Sequence, residues 1–471
     1  MIKKNLIWFI ILVLIVLGAI VLWYFIQSPK EKIEVLIPQE NILPEKNETS
    51  PNVGTGWSTD ENPAEAVIEA VNMALEGKTS KSPDFAIVFA SSGSDMKAIL
   101  SKLRESLGIK TKIYGGTSDS RAVSTNKGFV KVTERGYEQA LMEGKRGLAI
   151  MTVSSKDIIF GVGVANFSAF PSIQEASKSA LIKAIQSAGK SHEELPKVVL
   201  ITPTIGVEEE VIEGIEEAIG KNIPILGGTT GGPTFAVFGE NEIYEKGLSL
   251  AVIYTDLPIG WTFEGGFDVK DEHSGIATKV EGQDLLEIDN KPALDIYNQW
   301  LGGEIERLFK EVKKPDLIRD LLTLHPIYRK YTSLNGQDYF LFSHPWPKDD
   351  TLKDKTVMTS TKIKTGERIH LSHGSWETFV NRIGNLPKNA MIQGNIDIKT
   401  KPLLGLGYLC AGILGTIPET EREKLPLLIN YANNNAPFIA DFTWGEQGYF
   451  PGVGNKHGNL LTSFLIIAEK Q

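Results

Sequence analysis

The stretch KIYGGTSDS (112–120) and the stretch PILGGTTGG (224–232) each end an apolar run in a Gly-Gly-Thr turn, offset by 112 residues from Gly115 to Gly227. The same offset lays Ala86–Ala90 over Val198–Thr202, two β-rich runs of buried-strand type. It also lays Ile99, Leu100, Leu103 and Leu107 over Val211, Ile212, Ile215 and Ile219, a helical stripe, and Gly108 over Gly220 at the helix exit. A pattern that returns over three elements restricts the chain to a duplicated strand-helix-strand unit, read here without a gap. Beyond Thr117 and Thr229 the register is lost, and GFVKV (128–132) and GLAIMTV (147–153) compete for the place of GLSLAVIY (247–254).

The rest of the chain extends this to an α/β (mixed α+β) fold. It predicts two modules of β-sheet flanked by helices, the first carrying the internal duplication, preceded by a single transmembrane helix. From Leu6 to Ile26 no charge occurs, long enough for a helix to cross a hydrocarbon layer of about 30 Å. Residues 1–26 therefore predict an uncleaved anchor and residues 27–60, mixed in Pro and charge, a tether. The first module spans 61–258, opening with a helix capped by Asp60 or Asn62, and the second spans 259–471. In the second, a strand, the turn DNKP and a helix starting near Pro292 follow in order, and a long Gly-rich connection precedes the last strand. Lys3 and Lys4 on one side of the apolar run face Lys30 and Lys32 on the other. With the terminal amine this favours a single-pass protein of the cell membrane with a cytoplasmic N-terminus and an extracytoplasmic soluble part.

A net charge of −9 with no Lys/Arg run excludes a general nucleic-acid binder. The one cysteine, Cys410, excludes an intrachain disulfide, and its setting in LGYLCAGILG reads as a buried small hydrophobe. Neither glycine turn is a Walker loop, and GVGVAN and GLGYLCAG are not dinucleotide fingerprints, so no cofactor is expected. His370 and His373 stand three apart before Glu377, but Gly374 interrupts any helix there, and HLSHG reads as strand and turn. No metal is expected.

Together the segments FAIVFAS, YGGTSDS, VVLITPT and ILGGTTGG, then ATKVEGQDLLEIDNKPALDIY, GYLCAGILG and TWGEQGYFPGVGNKHGNLLTSF, resemble the FIST family over residues 62–471. FIST proteins are sensory domains built from an N-terminal and a C-terminal module. The resemblance implies binding of small molecules, amino acids among them, coupled to a signalling output. In this chain Ala411-Gly412-Ile413-Leu414 follows Cys410 where the family commonly has a basic residue, and no output domain is expected within these residues.

A glycine turn after a buried strand can offer backbone N–H groups to a carboxylate or phosphate. The candidate ligand-binding residues are therefore Gly116, Thr117, Ser118, Gly228, Thr229 and Thr230. Glu446, His457 and Asn459 join them from the loop GEQGYFPGVGNKHGN, as groups able to hold an ammonium. Asp119 and Arg121 can pair with each other. The expected function is a membrane-tethered small-molecule-binding sensory module that signals through a protein partner. The competing expectation is an extracytoplasmic hydrolase or transferase acting through Glu446 and His457.

Overall fold

In the computed structural model the strand predicted from FAIVFAS, β2 (Phe85–Ser91), is buried on both faces. Phe85, Ile87 and Phe89 point into a core shared by several sheets, and Ala86, Val88 and Ala90 point outward onto helices. That double burial is why the segment is apolar throughout instead of alternating. The structure describes residues 52–470 apart from 79–81, 120–122, 130–145, 233, 271–272, 313–314 and 350. The apolar run 6–26, and with it the expected anchor, lies outside the described residues. Among the described residues no helix is long and apolar enough to cross a membrane.

The first copy runs β1 (Asn52–Ser58), α1 (Pro63–Ala74), β2, α2 (Met96–Leu107), β3 (Lys112–Ser118), the hairpin β4 (Val123–Thr125) and β5 (Gly128–Phe129), and β6 (Leu148–Ser154). The second repeats it as β7 (Ile158–Asn166), α3 (Ile173–Ser187), β8 (Val198–Pro203), α4 (Glu208–Ile219), β9 (Ile225–Gly228), the hairpin β10 (Val237–Gly239) and β11 (Glu242–Tyr244), and β12 (Gly247–Thr255). The helical stripes are buried in both copies, and Gly108 and Gly220 follow their helices at φ of 86° and 82°. β6 pairs antiparallel with β2 as β12 pairs with β8, so GLAIMTV and not GFVKV takes the place of GLSLAVIY.

Two details differ from the ungapped reading. Ser91 N–H donates to Gly147 O and Thr204 N–H to Gly247 O, which sets the first strands at an offset of 113, whereas the helices start at Met96 and Glu208, an offset of 112. The loop before α4 is thus one residue shorter. Residues 52–58, expected to belong to the tether, instead form an edge strand along β6. Asn62 caps α1 through Ala64 N and Glu65 N, while Asp60 Oδ1 accepts from Asn62 N.

The duplication is one short of the true number. After β13 (Ile259–Glu264) an inserted α/β segment brings β14 (Ser274–Glu281), β15 (Asp284–Ile288), β16 (Lys291–Pro292), α5 (Ala293–Trp300), α6 (Pro315–Leu324), β17 (Ile327–Thr332), β18 (Asp338–Ser343), β19 (Pro345–Pro347), β20 (Val357–Thr359) and β21 (Arg368–Leu371). Its turn at Asp289 and Asn290 has φ of 51° and 60°, the paired positive values of a tight hairpin, as DNKP implies. The chain then resumes the plan with α7 (Trp376–Gln393), β22 (Pro402–Cys410), α8 (Leu425–Ala432), β23 (Phe438–Thr443), the hairpin β24 (Glu446–Phe450) and β25 (Gly454–Gly458), and β26 (Thr462–Ala468). The Gly-rich connection expected before the last strand is this hairpin. β13 stands to β26, β22 and β23 as β1 stands to β6, β2 and β3.

Each copy hands its hairpin to another. The sheet orders are β1-β6-β2-β3 followed by β10-β11, β7-β12-β8-β9 followed by β24-β25, and β13-β26-β22-β23 followed by β4-β5. Hairpins therefore pass in a closed ring, and sheets cross the boundary near residue 258. One face of each sheet carries its own helices, and the other meets a common core containing Phe89, Leu200, Leu226, Leu406 and Ile439.

Candidate functional site

The three sheets bring equivalent strand positions to a pseudo-threefold axis. Cys410 N–H donates to Leu461 O as Ser91 does to Gly147 O, so Phe89, Thr202 and Tyr408, two residues before Ser91, Thr204 and Cys410, occupy one layer. The Tyr114 hydroxyl ties that layer together, 2.7 Å from both Thr202 Oγ1 and the Tyr408 hydroxyl, and Phe89 packs edge-on against Tyr408.

The next layer holds the glycine turns. Gly116 faces Val237 of the incoming hairpin, Gly228 faces Glu446, and Asp441 faces Val123. In two copies the position is glycine because a threonine of the neighbouring copy presses on it. A Cβ at Gly116 would lie 3.2 Å from Thr230 Cγ2 and 2.7 Å from Thr202 Cγ2, and one at Gly228 would collide with Thr443 Cγ2. Around the ring the third neighbour is Ser118, which lacks the extra methyl, and there the side chain is a carboxylate. Asp441 is wholly buried, and among the described residues neither of its oxygens makes a well-formed hydrogen bond, although the Ser118 hydroxyl and the Phe442 amide lie beside it. Burial holds its carboxyl well above the usual range, the Ser118 hydroxyl and the Phe442 amide acting the other way. Thr230 Oγ1 and Ser124 Oγ are also buried without partners among the described residues.

One residue further on, Asp119, Gly231 and Trp444 converge, since a Cβ at Gly231 would strike Asp119 and lie 2.7 Å from Trp444 Cδ1. Trp444 packs edge-on against Phe235 and remains 37% exposed, so it covers this end of the axis. The end in question lies beyond the carboxyl ends of the parallel pairs, where open α/β sheets commonly bind ligands. A surface depression lined by Asp397, Lys399, Lys401 and Glu469 lies at the other end of β22 and β26, away from these groups.

The expected backbone cradle is not there. Thr117 N–H donates to Ala236 O, Thr229 N–H to Gly445 O and Thr230 N–H to Pro203 O. The first two donors are consumed by the exchanged hairpin segments and the third by the end of β8 in the same copy, and the turns are left with side chains to offer. Thr117 Oγ1 in turn accepts from Ala236 N, and Ser118 Oγ accepts from Phe442 N at 3.1 Å. Asn459 Nδ2 donates to Trp444 O, so Asn459 holds the cover in place. Arg121, expected to pair with Asp119, lies outside the described residues.

Glu446 and His457 form a second buried group with Thr229, beside the axis. Glu446 accepts from Thr443 Oγ1 at 2.7 Å and from Leu461 N at 3.1 Å, and burial pushes its carboxyl up to about 8. His457 Nδ1 lies 3.2 Å from Glu209 Oε1. Burial pushes the imidazole down, but Glu208 and Glu209 more than offset this and raise it above its ordinary value. Burial likewise works against ionisation of Glu209, yet His457 and the Lys362 amide hold it down at about 2. Thr229 Oγ1 bridges the two sides, donating to Glu208 Oε1 at 3.1 Å and accepting from Gln447 Nε2 at 2.9 Å.

The structure thus gathers both glycine turns on one axis and Thr229, Glu446 and His457 in one cluster. It adds Asp441, Glu208, Glu209 and Gln447, which are not among the residues expected from the sequence. Asp441 was visible as a lone charge in the apolar strand APFIADFTW, and Glu208 to Glu210 as an acidic run in VEEEVIEG. His370 lies on β21 as expected, but His373 exchanges backbone hydrogen bonds with Asp268 in an isolated bridge instead of turning, and Glu377 stands apart from them in the first turn of α7. His373 Nδ1 instead meets His325 Nδ1 at 3.0 Å. Cys410 is buried, and that burial pushes its thiol up.

No curated protein matches the chain. Among solved structures it is similar to a cyanuric acid hydrolase from A. caulinodans, at 8% identity and a TM-score of 0.35, covering 89% of this chain and all of that one. A second cyanuric acid hydrolase gives 6% and 0.30 over 89% of this chain and all of that one. T. maritima PurL complexed with ATP gives 8% and 0.22 over 89% of this chain and 72% of that one. Residues 84–291, from the start of β2 to the turn after β15, match the family model of the FIST N domain.

Proposed function

We propose that the protein is a small-molecule-binding sensory module whose ligand is taken on the pseudo-threefold axis beneath Trp444. Asp441 carries this reading: a wholly buried carboxyl with no well-formed hydrogen bond among the described residues, standing where the two sister positions are glycine. An unpaired buried polar group costs about 1–3 kcal/mol, which a ligand can recover. The match of residues 84–291 to the FIST N domain supports a sensory role. Asp441 and the neighbouring Asp119 favour a ligand that brings N–H donors, so an amino acid would enter by its ammonium end, with Ser118 and Thr230 flanking it. Residues 6–26 would tether the module to the membrane with its soluble part outside, and the signal would pass to a partner protein.

The test is a thermal-shift screen of the full chain against amino acids, other amines, organic acids and nucleotides, since a ligand that binds only the native state raises the melting temperature. An amino compound is expected to shift the wild type and to leave Asp441→Asn unmoved, the variant itself melting near the wild type. A screen in which no compound shifts the wild type, or in which Asp441→Asn responds equally, would sink the reading. Protease treatment of intact cells tests the tether and its orientation, removal of the soluble part being the expected result.

A further inference from the structure

Three glutamates, Glu208 to Glu210, fill the first turn of α4, where negative charge ordinarily complements the positive end of the helix dipole. That role leaves side chains in water. Glu208 is instead 3% exposed, and a buried histidine is brought against the same turn from another copy. His457 on β25 stands directly opposite Gln447 on β24, so both side chains leave the same face of the hairpin. One ligand atom each from Glu208, Glu209 and His457 lies within 4.8 Å of the others.

Gln447 provides an observation independent of that cluster. Its side chain is wholly buried, and its Nε2 donates to Thr229 Oγ1, which donates in turn to Glu208, so the amide belongs to the same hydrogen-bonded group as that carboxylate. Its Oε1 has no hydrogen-bond partner among the described residues, and the approach of His457 Nδ1 to Glu209 is off the line that a hydrogen bond needs. A buried imidazole nitrogen thus lies 3.2 Å from a carboxylate without a well-formed hydrogen bond, and a buried amide oxygen on the same face of the hairpin has no hydrogen-bond partner among the described residues.

We propose that Glu208, Glu209 and His457, with Gln447 Oε1 as the fourth donor, bind one divalent transition-metal ion of the zinc and manganese class. Three oxygens and one imidazole nitrogen suit these ions, whereas calcium and magnesium take oxygen alone. Bonds of about 2.1 Å in a tetrahedron hold ligand atoms roughly 3.4 Å apart, so the observed set closes on an ion by side-chain movement only. Binding of the ion clamps the third copy's hairpin to the second copy's helix.

The test uses the full chain freed of metal with EDTA and titrated with Zn²⁺ and with Mn²⁺ by calorimetry. One equivalent of at least one ion is expected to bind. Affinity should fall at least about 100-fold in Glu209→Gln and in His457→Gln, and stay unchanged in the control His325→Gln. Because a variant can misfold, wild-type crystals soaked in the binding ion provide a second measurement, an anomalous-scattering peak between Glu208, Glu209 and His457. Absence of binding to the wild type, unchanged affinity in folded Glu209→Gln, or a peak only elsewhere, as between His325 and His373, overturns the proposal.

Discussion

Glu446 enters the fold as an acid that prefers its proton. Burial lifts its carboxyl to about 8, while in the unfolded chain it titrates near the ordinary value of about 4.3. Between those values the native state holds a proton that the unfolded state has released, so stability falls as pH rises through the window and is fully retained below it. Glu446→Gln is isosteric and neutral throughout. In urea melts, the stability of wild type relative to this variant should grow by a few kcal/mol as pH is lowered from about 8 to about 4.5. A difference that stays flat would mean that Glu446 is ionised in the fold. The ring of Gly116 with Thr230, Gly228 with Thr443 and Asp441 with Ser118 supports a second expectation. Gly228→Ala should cost about 1–3 kcal/mol through overpacking against Thr443, and Thr443→Ser should recover part of that, because the third copy accommodates a side chain opposite serine. Additive losses in a double-mutant cycle would count against this pairing. The glycines were legible in the sequence as sites where bulk is excluded. That the excluding atoms belong to a threonine of another copy was not legible, since the contact joins residues more than a hundred positions apart in one case and over two hundred in the other.

Elements were legible where the two faces of a segment impose a period. The stripe Ile99, Leu100, Leu103, Leu107 and its counterpart became α2 and α4 as read, since one helix face packs on a sheet and the other meets solvent. The one-residue difference between the two strand-to-helix loops escaped an ungapped reading because VVLIT and VLITP are equally apolar and fit the strand either way. The third copy escaped for separate reasons. Its strand carries Ala440-Asp441 in place of Gly-Gly, its parallel partners Gly405 and Phe438 lie 33 apart where Phe85 and Lys112 lie 27 apart, and residues 265–375 separate β13 from α7. The hairpin β24 to β25 looked like an open loop because glycine is frequent in it. Gly448 serves close packing there, since a Cβ would collide with the Phe263 ring, and Gly445 likewise gives way to the His457 ring. Glycine thus marked close approach in this segment, and composition alone does not distinguish that from mobility.

At the scale of the whole molecule, the closed exchange of hairpins makes each copy incomplete alone. β4 and β5 cover the edge of β23, β10 and β11 that of β3, and β24 and β25 that of β9. The first and third of these contacts join residues before 258 to residues after it, and the common core draws on all three sheets. An isolated 52–258 fragment would leave the β9 edge open and the β4 to β5 hairpin without a sheet, beside apolar surface that Leu406, Tyr408 and Leu465 normally cover. The fragment 259–471 would lose the partner of β23 in the same way. Calorimetry of the full chain should therefore show one transition, with van't Hoff and calorimetric enthalpies in agreement, although sequence alone divides the chain in two. Fragments 52–258 and 259–471 made separately should lack sharp melts, and mixing them should restore one, because the missing edges and the missing core face are complementary. Either fragment melting sharply near the temperature of the intact chain would show that its copies hold together without exchange, and the ring of hairpins would then be decoration on independent domains.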